Sequence, residues 1–340
     1  MKAISVLLVS VALVSACSGS GESATSAEPP PRASTTSVGD VDEMTGSAPS
    51  FDPLDAAWVI QQDATIVVVG ADGVGSFSPT AQVPGFDQNN PDWSPDGSKL
   101  SFTAADGRDD LWVVDVDGVR ARKVYDCESP CDYLDDPAWS RDGASIAACK
   151  MTDSGDGHLG SLISVDFKTG AETTLATFAP EDFCAGPRWS PDGSEISFEL
   201  AHRTGTSLVD EPIEVTLSVV SLSADPPTIR PLTEPTLFAS WGDWNPAGDL
   251  IVYSALPTSD APVPELFTIR PDGSDLRQLT NLTAEGGSAT EPTFDLDGSS
   301  VVFVDGVGGS LRRVDLDTGA VTPAFTTDIF GTHPRPRPLT

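Results

Sequence analysis

The sequence predicts an all-β chain folded as a six-bladed β-propeller of four-stranded antiparallel blades. Three observations carry this: a turn motif met six times, apolar residues alternating with period two beside it, and a repeat of 42 to 55 residues. The motif is clearest in Pro91-Asp92-Trp93-Ser94-Pro95-Asp96-Gly97 and Pro187-Arg188-Trp189-Ser190-Pro191-Asp192-Gly193. Pro137-Ala138-Trp139-Ser140-Arg141-Asp142-Gly143 is a third copy. Gly242 to Gly248 and Pro292 to Gly298 are weaker forms, and Pro49-Ser50-Phe51-Asp52-Pro53 is a sixth that has lost its Asp-Gly.

Each residue type in the motif suits a tight hairpin. Ser and Pro fit the first two turn positions, Asp accepts backbone hydrogen bonds, and Gly takes the left-handed conformation that closes the loop. After each Gly the apolar residues alternate, as in Leu100 and Phe102 or Ile196 and Phe198, which is the period of a strand. A second strand follows in all six repeats, for example Leu111 to Val114 and Leu311 to Val314. Most repeats then meet another turn, such as Val116-Asp117-Gly118, before a final strand. A two-sheet sandwich is not excluded by any single repeat, but sandwiches do not reuse one turn chemistry six times. The motif Trp is expected to pack between blades.

The Pro-x-Trp-Ser-Pro-Asp-Gly signature resembles the WD-type repeat of TolB-like proteins, also found in the propeller of prolyl-oligopeptidase relatives. The resemblance covers Pro49 to about Ala324. It implies a closed ring with a central channel, built for protein contacts at one face. TolB itself carries an α/β domain before its propeller and the peptidases carry a hydrolase domain. Neither is expected here, so neither role is carried over.

Ahead of the repeats, Met1-Lys2 and the apolar run Ala3 to Ala16 read as a signal peptide, residues 1–16. The run ends in Val14-Ser15-Ala16-Cys17, which resembles the bacterial lipobox and makes Cys17 the expected lipidation site. Residues 17–48 are rich in Ser, Gly, Thr, Pro and Ala and read as a disordered tether. The propeller is expected over 49–324, with 325–340 as a tail. That tail has no strand in the repeat count; His333-Pro334-Arg335-Pro336 weakly echoes Pro187-Arg188-Trp189, so it is a candidate clasp on the first blade.

Without Lys2 the chain holds 18 basic and 51 acidic residues, a net charge of −33, which disfavours nucleic acid and anionic headgroups. A basic face on a partner fits that charge, as does a generally solubilising surface. Four cysteines remain after Cys17, an even number suited to disulfides in an exported protein. Three connectivities are possible; Cys127 with Cys131 and Cys149 with Cys184 are expected because all four fall near one end of neighbouring blades.

Catalytic constellations are sparse. His158, His202 and His333 fall in different repeats or the tail, no Gly-x-Ser-x-Gly elbow occurs, and each histidine is expected at the surface. Asp153-Ser154-Gly155-Asp156-Gly157 has oxygen ligands at short spacing, but a calcium hand would place its final Glu where Ser164 stands. No metal, no cofactor and no catalytic activity are expected. The alternative is a propeller enzyme of hydrolase or lactonase type with a calcium or acidic site at the channel mouth.

The hairpin turns should gather on one face and the longer connections on the other, where recognition usually lies. Phe86, Tyr133, Phe183 and Phe238 are aromatic residues in these otherwise polar connections and are the candidate partner contacts. The reading is a monomeric scaffold in the cell envelope that binds a protein partner and touches the membrane only through its lipid.

Overall fold

The computed structural model describes residues 52, 55–83, 87–105, 109–155, 157–180, 182–203, 213–235, 238–306 and 309–338. Six sheets, each of four antiparallel strands, follow one another as blades. Blade 2 holds β4 (Asp87–Trp93), β5 (Lys99–Ala105), β6 (Asp109–Asp115) and β7 (Ala121–Tyr125). Blade 3 holds β8 (Cys131–Trp139), β9 (Ser145–Asp153), β10 (His158–Asp166) and β11 (Glu172–Thr177). In blade 4 are β12 (Asp182–Trp189), β13 (Glu195–Arg203), β14 (Ile213–Ser221) and β15 (Thr228–Pro231). Blade 5 is built from β16 (Ser240–Trp244), β17 (Ile251–Ala255), β18 (Glu265–Ile269) and β19 (Arg277–Gln278). Blade 6 is built from β20 (Ala289–Phe294), β21 (Ser300–Asp305), β22 (Ser310–Asp315) and β23 (Val321–Pro323).

Blade 1 takes strands from both ends of the chain. Its order is β24 (Thr332–Pro336), β1 (Trp58–Gln62), β2 (Thr65–Val69) and β3 (Ser76–Phe77), with Trp58 opposite Pro336 and Gln61 opposite Thr332. A repeat count that starts at Pro49 gives this blade its own inner strand and ends the ring at Ala324. Instead the inner position belongs to the tail, and the ring runs to Pro336. Of the Pro49 to Pro53 copy of the motif, only Asp52 lies within the described residues.

The motif turns form as their chemistry demands. Ser94 Oγ donates to Asp96 Oδ1 at 2.7 Å, and Asp96 Oδ1 accepts the Ser98 N–H at 3.0 Å. Gly97 sits at φ +63°, its N–H on the Ser94 carbonyl. Ser140 with Asp142, and Ser190 with Asp192, repeat the same bonds. In blade 5 Asn245 replaces the serine, and its Oδ1 accepts the Asp249 and Leu250 N–H groups.

The core lies between blades. Trp93 packs with Val59, Ile66 and Val68 of blade 1 and Leu100 and Phe102 of blade 2. Trp139, Trp244 and Phe294 do the same at the next joints in their order. Trp58, Ile60 and Phe325 seal blade 1 to Val302, Val304 and Leu311 of blade 6, which closes the ring. The indole N–H adds direction to this packing. Trp93 donates to the Arg335 carbonyl, Trp189 to that of Ala138 and Trp244 to that of Arg188, each time reaching back one blade.

The clasp is held by more than its ladder. Arg337 donates through Nε to the Gly97 carbonyl at 2.8 Å and stacks over the Trp93 ring at 5.3 Å, so the tail bridges blades 1 and 2. Deleting residues 331–340 leaves Trp93 without its acceptor and β1 with an open edge. Scanning calorimetry should show a midpoint lower by at least about 6 °C, the equivalent of a few kcal/mol in a domain of this size; an unchanged midpoint would remove the clasp from the fold.

Candidate functional site

Each inner strand turns left-handed at one residue: Asn90, Asp136, Gly186, Trp241, Glu291 and His333, with φ between +51° and +59°. A break in register accompanies the turn in all six blades, as between Asn89 and Asp92 or between Asp135 and Ala138. Only one of the six is glycine, and five stand before proline (Trp241 precedes Gly242), which disfavours the right-handed helical region for the residue ahead of it. Non-glycine residues in this conformation are uncommon and concentrate at functional sites. Here they form one level of the channel.

These levels can be read off the register. Three residues before the left-handed position stand Asp87, Tyr133, Phe183, Phe238, Ser288 and Phe330. Four of the six are aromatic, and Phe238 and Phe330 are 45% and 53% exposed. They mark a collar at the start of the inner strands, on the face of the longer connections; Phe238 lies before β16 at φ +49°, and Phe330 lies before β24, bridged to Ser310 of blade 6. Tyr133 and Phe183 lie inside β8 and β12 rather than in loops, and the Tyr133 hydroxyl donates to Asp135 Oδ2. Phe86 lies outside the described residues, one position before Asp87. The collar residue missed by the sequence reading is Phe330; the signal was its place three residues before His333, matching Phe183 before Gly186.

Both expected disulfides are present and stand beside this collar. Cys127–Cys131 closes the approach to Tyr133, and Cys149–Cys184 ties β9 to β12 next to Phe183. Cys17 lies outside the described residues. The mouth around Tyr133 is acidic. Burial, then the neighbouring Asp110 and Asp87, raises the Asp109 carboxyl to about 6, and burial followed by Asp136 pushes Asp135 well above the usual carboxylate range.

Below the collar every joint between blades is closed by one side-chain oxygen accepting a backbone N–H of the next blade. Gln61 Oε1 takes Asn90 N–H at 3.1 Å, and Glu199 Oε1 takes Trp241 N–H at 2.8 Å. Asp92 Oδ2 takes Trp139 N–H, and Asp243 Oδ2 takes Phe294 N–H. Asp136 Oδ2 takes Gly186 N–H, and Glu291 Oε2 takes His333 N–H. Three kinds of bond are each used twice, three blades apart.

The histidines divide. His158 is exposed and meets Asp132, and His202 meets Asp182 at the surface, whereas His333 is buried in the channel wall. His333 was expected at the surface because the tail had no strand; once β24 is an inner strand its left-handed residue must face the hub. Its ring meets Trp241 edge-on at 4.8 Å, a contact spanning the channel from blade 5 to blade 1. Burial, and then Arg335 and Arg188, hold its pKa well below the ordinary value. Among the described residues no three His, Cys, Asp or Glu side chains gather as a metal site. His158 lies in β10 and Ser164 in the same strand, paired with β9 rather than forming a cation loop with Asp153.

Burial raises Glu199 to about 8 and Glu291 to about 7, from an ordinary 4.5. Both bind a proton more tightly folded than unfolded, so their contribution to stability is full below about pH 4.5 and is lost as pH rises through 7 and 8. The unfolding midpoint of the wild type should therefore fall from pH 5 to pH 8.5. Glu199→Gln with Glu291→Gln keeps an oxygen acceptor at each joint and should flatten that fall; parallel profiles would show that neither group titrates there.

No family model matches the chain, and no curated protein matches it in sequence. Solved structures do match. TolB from Acinetobacter baumannii is 15% identical with a TM-score of 0.59, over 83% of this chain and 66% of that one, just under two thirds of its length. A putative TolB from Agrobacterium tumefaciens is 20% identical with a TM-score of 0.59, over 81% of this chain and 90% of that one. An oligogalacturonate lyase in complex with manganese is 18% identical with a TM-score of 0.54, over 76% of this chain and 70% of that one. At these identities the likeness shows the fold alone, and that fold is a TolB-like six-bladed β-propeller.

Proposed function

We propose that this chain is an exported protein, lipid-anchored at Cys17, that holds a protein partner of the cell envelope at the collar of its ring. The observation that carries the reading is the recurrence of Tyr133, Phe183, Phe238 and Phe330 three residues before the left-handed position, on the face of the longer connections. Aromatic side chains there offer large contact area at small entropic cost, and a rigid ring with two disulfides beside the collar reduces what binding must order. The disulfides also fit an oxidising compartment, in keeping with the signal-like start. Asp109 beside Tyr133 favours a partner segment carrying basic residues. Monomeric and without a cofactor, the ring would act as a scaffold.

A rival reading, a propeller enzyme, draws on Glu199 and Glu291, whose raised pKa values lie where general acids and bases work. Each already serves as the acceptor of a joint, which is a sufficient reason for its burial. Chemical crosslinking and capture from intact envelope separates the readings. The wild type should recover a specific partner, and Phe238→Ser with Phe330→Ser should reduce that recovery at least about tenfold. Val119→Ser with Leu276→Ser, exposed on the hairpin turns of the opposite face, should leave it unchanged. Absence of a specific partner, or equal loss in both variants, would sink the scaffold, and turnover of a substrate by purified wild type would favour the enzyme.

A further inference from the structure

Two residues beyond the left-handed position, the channel wall carries Arg335, Asp92, Ala138, Arg188, Asp243 and Thr293 in blade order. Arg335 and Arg188 belong to blades 1 and 4, opposite one another in a ring of six. Their conformations match: Nη1 of each donates to the carbonyl of its own preceding proline, Pro334 or Pro187. Both are only 7% exposed, and the Nε–H of each is buried without a partner. Neither forms an ion pair among the described residues, although the charges of Asp92 and Asp136 act on both and that of Asp243 on Arg335.

The carboxylates are committed elsewhere. Asp92, Asp136, Asp243, Glu199 and Glu291 each hold a backbone N–H of the next blade. What is left unmatched in the hub is mostly donors, the two arginine Nε–H groups and the Trp241 Nε1–H, while the His333 ring has only a 3.5 Å approach of Nδ1 to Glu291 Oε2. Asp136 Oδ1 is the one carboxylate oxygen buried there without a partner. A buried guanidinium Nε–H left without an acceptor is costly, and a planar fork of donors matches an oxyanion. Ala138 and Thr293, both with small side chains, stand at the same level in blades 3 and 6.

We propose that this level of the hub binds an oxyanion, a phosphate or carboxylate group, gripped from opposite blades by Arg188 and Arg335. The remaining donors of Trp241 and His333 face the same hub, and Asp136 Oδ1 can accept from a protonated oxygen of the ligand. The arginines stand nearer the hairpin turns than the Trp241–His333 contact does, so the site is separate from the collar and independent of the partner reading.

Calorimetric titration of the full chain with inorganic phosphate and, separately, with malonate tests this at fixed ionic strength. At least one probe should bind saturably; phosphate alone assigns the site to phosphate-bearing ligands, malonate alone to carboxylates, and both to the shared oxyanion group. Arg188→Gln and Arg335→Gln should each weaken binding at least about tenfold, while Lys168→Gln, at an exposed turn, leaves it unchanged. Arg188→Lys and Arg335→Lys keep the charge but lose the fork, and weakened binding in them supports the site if the glutamine variants do not fold. No saturable binding of either probe, or equal affinity in the wild type and the folded arginine variants, would overturn the proposal.

Discussion

The ring depends on a repeated bond in which a side-chain oxygen of one blade receives a backbone N–H of the next. Apolar packing fills the joints, but packing alone is non-directional and does not fix how far each blade rotates about the axis. The six bonds do, because each aligns a particular strand of one blade with a particular residue of its neighbour. Such a bond contributes about 1 kcal/mol with a neutral acceptor and about 1.5–3 kcal/mol with a charged one, and more is lost when a buried N–H is left alone. Their threefold spacing repeats the same three joints twice around the circle, Gln61 with Glu199, Asp92 with Asp243, and Asp136 with Glu291.

This use of carboxylates explains the chemistry of the channel. A chain with such an acidic excess could have paired every buried arginine with an aspartate, yet Arg188 and Arg335 bond only their own backbone carbonyls. The acids that surround them are bound to the neighbouring blades instead. Left-handed residues break the register of the inner strands at one level, and the collar and the arginine level follow at fixed offsets on either side. Collar and polar hub thus stand at fixed offsets from one backbone irregularity.

The blades are legible in the sequence because Ser94-Pro95-Asp96-Gly97 and its copies encode their turns locally, through a hydroxyl, a carboxylate and a left-handed glycine. The disulfides are legible because the turns set which strand ends are neighbours. The clasp is only faintly so: Thr332 to Pro336 keeps the proline and arginine of Pro187-Arg188 but has no tryptophan and no turn after it. That loss hid Phe330 as a collar residue and His333 as a buried one. The joints are not legible at all, since the position that is aspartate in blades 2 and 5 is alanine, arginine or threonine elsewhere. A role shared by alternate residues in alternate blades leaves no repeated letter, and it emerges only when the register of the strands is known.

Equilibrium urea unfolding of Asp92→Ala, Asp243→Ala and the double variant, beside Asp317→Ala as an exposed control, tests the joints most directly. Each hub substitution strands a backbone N–H and should cost about 2 kcal/mol, while the control stays within about 0.5 kcal/mol of wild type. Hub variants as stable as the control would contradict a ring that is set by these bonds.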